Sequence, residues 1–207
     1  MNKAFLFLLI FLCAAGACLA DTSESSPQAV PEAVTHSGWV LMVLPQYNFV
    51  DNEYTIPKVV ISRAGYSIEV ASTSTREIAL GEDVIKVRPN LSVADIDSGR
   101  YIGVVFVGGY MSKKFFEDKA LIEKTLEMNA KNVLIGAMDN TPYFLAKWGV
   151  VGDAKVTVNR SLAKAMKTMG VNYVDKDIVI DRNLITVDNL IYSDEFARDF
   201  VDELSKR

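Results

Sequence analysis

Apolar and polar positions along residues 39–204 fall into blocks that switch repeatedly between strand and helix periods. Residues 39–44 are apolar and strand-like, and a polar, aromatic-bearing loop over 45–52 leads into a helix that Gly65 closes. A strand at 67–71 follows at once, so strand, helix and strand come in close succession, the signature of a parallel crossover. Residues 72–81 read as a polar excursion and 84–87 as a short strand or hairpin arm. The run 102–107 is almost continuously apolar, as a central parallel strand covered on both faces must be, and it ends in Gly108-Gly109-Tyr110. A helix is predicted over 113–130, where Phe115, Phe116, Leu121, Ile122, Leu126 and Met128 fall mostly at helical spacing, with Lys and Glu opposite. Strand 133–137 and helix 142–148 come next, and Gly149 and Gly152 mark the turn out. The elements then shorten: strand 155–158, helix 161–168, strands 173–174, 178–180 and 184–186, and an amphipathic helix over 193–204. This alternation predicts a three-layer α/β domain with a mostly parallel sheet.

The chain of 207 residues is 50% hydrophobic and 23% charged, which fits one globular domain with a sizeable core. A net charge of −4 without a basic cluster argues against nucleic acid or an anionic membrane surface as partner. Residues 1–20 read as a signal peptide: Lys3 supplies a positive start, and the apolar run 4–12 is too short to span a bilayer. Two exits are open, cleavage after Ala20 or cleavage before a lipidated Cys18, since Ala15-Gly16-Ala17-Cys18 is an imperfect lipobox. Residues 21–38 form a Ser, Pro and Ala-rich linker, either a membrane tether or an ordinary N-terminal arm, and the domain is expected over 39–207.

Both cysteines, Cys13 and Cys18, lie in the export segment, and the one histidine, His36, lies in the linker. The expected domain therefore holds neither residue, which excludes an internal disulfide, Cys-His or Ser-His catalysis and most zinc sites. Carboxylates, Lys, Arg and Tyr remain as its titratable chemistry. No cofactor is implied, and no ligand spacing specifies a metal.

Several segments, taken in order, are specific. They are Asp51-Asn52-Glu53-Tyr54-Thr55-Ile56-Pro57 before Arg63-Ala64-Gly65, the strand ending Gly108-Gly109, Leu145-Ala146-Lys147-Trp148-Gly149 before Ala154-Lys155-Val156-Thr157, and Ile180-Asp181-Arg182-Asn183-Leu184-Ile185-Thr186. Together they resemble the ThiJ/PfpI superfamily, which implies a flavodoxin-like, class I glutamine amidotransferase-like fold and relatives that are cysteine-dependent peptidases, amidases or deglycases.

The resemblance implies a nucleophile at a sharp strand-to-helix turn within residues 132–142, in the pattern small residue, any residue, Cys, any residue, Gly. Laid on Gly136-Ala137-Met138-Asp139-Asn140, it puts Met138 in the nucleophile's place. A thioether is neither nucleophile nor base here, and packing into a former pocket is the simpler role for it. The resemblance also makes Glu53 the glutamate that partners the missing cysteine, against the plainer reading of a helix-start carboxylate. It gives Gly108 and Gly109 oxyanion-type amides, although a tight turn alone explains glycine there. Asn140 at the glycine position fits a left-handed backbone, which Asn tolerates. Asp139 beside Glu53 forms a candidate carboxylate pair, with solvated acids as the alternative. Where relatives carry a histidine this chain has Asp139 and Asn159-Arg160, and a segment that usually reads Thr-Ser-Arg-Gly-Pro-Gly begins Thr186-Val187-Asp188-Asn189-Leu190.

Tyr47, Phe49, Tyr110 and Tyr143 fall at the carboxyl ends of strands, as an aromatic pocket rim or as contacts of the homodimer that the resemblance implies. The ligand-binding candidates are Glu53, Asp139, Tyr110 and Asn140. The sequence thus points to an exported, non-catalytic domain binding a small molecule or an envelope protein, a pseudoenzyme of its superfamily. Its rivals are a hydrolase or lyase using Glu53 and Asp139, and a purely structural dimeric module.

Overall fold

The computed structural model describes residues 38–109 and 112–207. The expected signal peptide, Cys13, Cys18, His36, all but the last linker residue, and Tyr110 lie outside the described residues.

The first strand, β1 (Trp39–Val43), is an inner strand of a seven-stranded sheet. The elements that follow are β2 (Tyr47–Phe49), α1 (Asp51–Arg63), β3 (Ser67–Ser72), β4 (Ala79–Gly81), β5 (Lys86–Val87) and β6 (Leu91–Ser92). Then come β7 (Tyr101–Phe106), α2 (Lys119–Ala130), β8 (Leu134–Met138), α3 (Thr141–Lys147), α4 (Ala163–Thr168), β9 (Ile178–Asp181), β10 (Leu184–Val187) and α5 (Ser193–Leu204). The main sheet runs β6-β3-β1-β7-β8-β10-β9, all parallel except the terminal β9–β10 hairpin, where Arg182 turns with φ 57°.

Strand alternation divides the core between the two faces of the sheet. Val40, Met42 and Leu44 point to the side covered by α1 and α5, and Leu41 and Val43 to the side covered by α2, α3 and α4. This is the three-layer α/β, flavodoxin-like arrangement. Glycines in two central strands let α5 approach: a Cβ on Gly136 would lie 2.5 Å from the Phe196 ring, and one on Gly103 would lie 2.9 Å from Phe200.

Four local expectations are corrected. The loop 45–52 contains β2, which joins β4 and β5 in a small second sheet, so the polar excursion also holds a strand. The helix expected over 113–130 divides into a 3-10 turn, Ser112–Glu117, and α2, because the Asp118 carboxylate accepts from the Ala120 and Leu121 amides and caps a new helix start. Neither 155–158 nor 173–174 extends into a ladder; they share one isolated bridge, Val156 to Tyr173. The two-residue strand β6 went unread, being too short to establish a period.

Candidate functional site

Three chain segments meet at the carboxyl edge of the sheet: the first turn of α1, the Gly108-Gly109 turn after β7, and the turn from β8 into α3. Glu53 is fully buried on α1, and its Oε2 accepts the Gly108 amide at 2.7 Å. Its Oε1 has no hydrogen-bond partner among the described residues. Burial pushes this carboxyl up to about 8; the Gly108 bond opposes the shift, and the Asp139 and Glu82 carboxylates add to it. Glu53 therefore carries its proton at neutral pH. Pro57 lacks the N–H that would otherwise bond the Glu53 carbonyl one turn earlier.

Both glycines are required by close approach. A Cβ on Gly108 would stand 2.9 Å from Asn140 Oδ1 and 3.1 Å from Glu53 Oε2, and one on Gly109 would stand 2.4 Å from the Asn48 carbonyl oxygen. The Gly108 amide is already committed to Glu53, so it is not free to hold an oxyanion.

The turn after β8 lies one residue later than the sequence pattern suggested. Met138 ends β8 and is fully buried in the core under α1 and α5. Asp139 has φ 53° and forms the apex, whereas Asn140 is right-handed with φ −93°. Asp tolerates the left-handed region because its short carboxylate bonds locally. Asn159 Nδ2 donates to Asp139 Oδ1 at 2.6 Å, and the Asn159 amide donates to the Asp139 carbonyl at 2.8 Å. The Asp139 amide reaches the Val187 carbonyl at 2.9 Å, and Thr141 Oγ1 donates to the Met138 carbonyl at 2.8 Å. The apex thus presents a half-buried, anchored carboxylate beside a buried carboxylic acid. Asn140 belongs to the site through its side chain: its buried Oδ1, next to Gly108, has no partner among the described residues.

Glu82, which sequence reasoning missed, joins this group from the β4–β5 turn. Burial pushes its carboxyl up, with Asp83, Asp51 and Asp139 adding to the shift. Its only signal would have been the hairpin itself, which the polar composition of that stretch conceals. Asp51 is structural: its Oδ2 accepts from the amides of Asp83, Val84 and Ile85 at 3.2, 2.9 and 3.4 Å and closes the β4–β5 turn. Among the described residues no group of three or more His, Cys, Asp or Glu is placed to hold a metal.

Two departures noted separately in the sequence prove to be one feature. Arg160 reaches Asp175 at 3.2 Å, Asp177 at 3.0 Å and the buried Asp188 at 3.3 Å, so a cation from the neighbouring loop answers the acid at 188. The aromatic rim is partly corrected. Tyr47 is 53% exposed and Tyr143 half-buried, but Phe49 is fully buried, packed edge-on to Tyr54 at 5.7 Å, because β2 turns it into the core.

A protein of Methanocaldococcus jannaschii is 26% identical over 209 residues, covering 100% of this chain and 98% of its own. Protein dj-1beta of Drosophila melanogaster is 30% identical over 155 residues, covering 74% of this chain and 82% of its own. The crystal structure of Drosophila DJ-1beta matches with a TM-score of 0.73, over 83% of this chain and 92% of that one. A ThiJ/PfpI domain protein from Brachyspira murdochii matches with a TM-score of 0.77 at 22% identity, over 82% of this chain and 97% of that one, a likeness of fold. The sequence profile of the DJ-1/PfpI family covers residues 39–203, and with that span matched the chain belongs to the DJ-1/PfpI family.

Proposed function

We propose that this is a DJ-1/PfpI domain that has left thiol chemistry and works by binding a small ligand at the cell envelope. The observation that carries this reading is the apex of the strand-to-helix turn. It bears Asp139, anchored by Asn159, in a domain that has no cysteine after residue 18. In this reading Asp139 stands where relatives present a nucleophile, and the anchored carboxylate with the Glu53 acid behind it recognises a polar group. Export rests on residues 1–20 and homodimerisation on the family resemblance; both belong to the same proposal.

A second reading has one observation in its favour: an acid that keeps its proton to about pH 8 lies beside a carboxylate, the pairing that general acid–base catalysis requires. One assay separates the two. Unmodified protein is screened for amide, ester and aldehyde turnover, with Glu53→Gln as comparison. The binding reading predicts no turnover above buffer in either protein. Turnover abolished by Glu53→Gln would replace it with the carboxyl enzyme.

A further inference from the structure

The sequence of this acidic chain shows no basic cluster, yet the fold builds one. Lys58 stands on α1, far along the chain from Lys86 on β5 and from Arg88 just after it. All three line one groove of about 350 Å³, where the chain passes from the small second sheet to the edge of the main sheet through residues 88–90. Ile68 and Val70 of β3, with Val87, supply its apolar lining, and no carboxylate lines it. The volume lies at the lower end of the roughly 300–1,000 Å³ range of small-molecule pockets.

Local structure holds these groups in place. Asn90, also in the lining, is tied to β3 by two bonds: its Oδ1 accepts the Val70 amide at 2.8 Å, and its own amide donates to the Val70 carbonyl at 2.8 Å. Its Nδ2 is left without a partner among the described residues. Arg88 is flanked by the buried Val87 and Pro89, and the proline ring restricts the Arg88 backbone. Lys86 is registered opposite Leu80 in the β4–β5 ladder. The Lys58 ammonium sits 5.4 Å from the centre of the Tyr54 ring, one turn earlier on α1, a contact that positions the charge without neutralising it.

Charge then selects the ligand. Lys58, Lys86 and Arg88 are exposed, and none of them forms an ion pair among the described residues. Asp51 and Asp83, the acids of the nearby β4–β5 turn, pair with none of the three. Three like charges around one small concavity repel one another until an anion enters. A doubly charged group matches them better than a carboxylate does, and the forked guanidinium of Arg88 beside two ammonium groups fits the several oxygens of a phosphate.

We propose that this groove binds a phosphate monoester, its phosphate held by Lys58, Lys86 and Arg88 with Asn90 Nδ2 as a further donor. The lining shares no residue with the elbow, so this site goes beyond the binding proposed at Asp139 and stands or falls separately from it.

sn-Glycerol 3-phosphate is the probe, titrated by calorimetry into the full chain, with glycerol and acetate as controls. The expected result is saturable binding with Kd at or below about 1 mM, weakening as salt rises, and none for either control up to about 10 mM. Lys58→Gln, Lys86→Gln and Arg88→Gln should each weaken it about fivefold. Lys164→Gln, the same charge change at an exposed position of α4 across the sheet, should leave it within about twofold. The same phosphate ester also heads a lipid, so co-sedimentation with phosphatidylcholine vesicles, with and without about one fifth phosphatidic acid, separates the sources. Binding of the free ester without the acidic vesicles assigns a soluble ligand; binding of the acidic vesicles, lost in the three groove variants, assigns a lipid headgroup. Four results would overturn the proposal: no saturable binding of either form, acetate binding as tightly as the ester, binding untouched by the three groove substitutions, or an equal loss in Lys164→Gln.

Discussion

Glu53→Gln isolates the buried acid. The carboxyl sits at about 8 in the folded protein against 4.5 for the free group, so between those values the folded state holds a proton that the unfolded chain has released. A raised carboxyl of this kind makes stability fall as pH rises, with the loss complete above about pH 8. At about 1.4 kcal/mol per pH step, linkage removes about 3 kcal/mol from the wild type between about pH 5.5 and pH 9. Glutamine does not titrate, and its carbonyl oxygen can still accept the Gly108 amide. The assay is urea unfolding of both proteins across that range; every other titrating group cancels in the difference. The variant should gain on the wild type steadily with pH and be the more stable of the two at the alkaline end. Parallel profiles would refute the reasoning, since they would mean that Glu53 ionises in the folded state as easily as in the unfolded one.

Gly81→Ala should destabilise the domain by about 2 kcal/mol or more in thermal or urea unfolding, because its Cβ would stand 1.6 Å from Asp51 Oδ1 and expel the carboxylate that closes the β4–β5 turn. Arg160→Gln removes the cation that pulls the Asp188 carboxyl down against burial, so that group rises further. The variant's stability deficit should shrink on acidification and grow toward alkaline pH, and a pH-independent deficit would contradict this. Intact-mass analysis of protein from its own host should find the mature chain starting at Asp21 or at a lipid-modified Cys18; retained Met1 would overturn the proposed export.

The main sheet was legible because its strands carry strong signals: the apolar runs at 102–107 and 39–44 both bury on two faces. Two helix boundaries followed at Gly65 and Ala130, but Asp118 fell unnoticed inside the single helix expected over 113–130, since capping depends on where the side chain turns. Glu53 and Gly108 were found through motif order, whereas their 2.7 Å contact spans fifty-five positions of sequence that no local pattern encodes. The elbow failed by one residue for a physical reason. The spacing pattern put the nucleophile's place at Met138 and the left-handed residue at Asn140, and only the backbone shows that Asp139 takes the left-handed turn. Glu82 and the Arg160–Asp188 pair stayed hidden because long-range electrostatic neighbours leave no periodic trace.

The central claim is that Asp139, and not Met138, occupies the reactive apex in front of Glu53. A thiol placed at each position tests it directly, as Asp139→Cys and Met138→Cys, followed by iodoacetamide alkylation with the wild-type rate subtracted for Cys13 and Cys18. The account predicts that Asp139→Cys reacts at least about tenfold faster than Met138→Cys, whose thiol would be sealed in the core beneath α1 and α5. Equal rates, or faster alkylation of Met138→Cys, would contradict it.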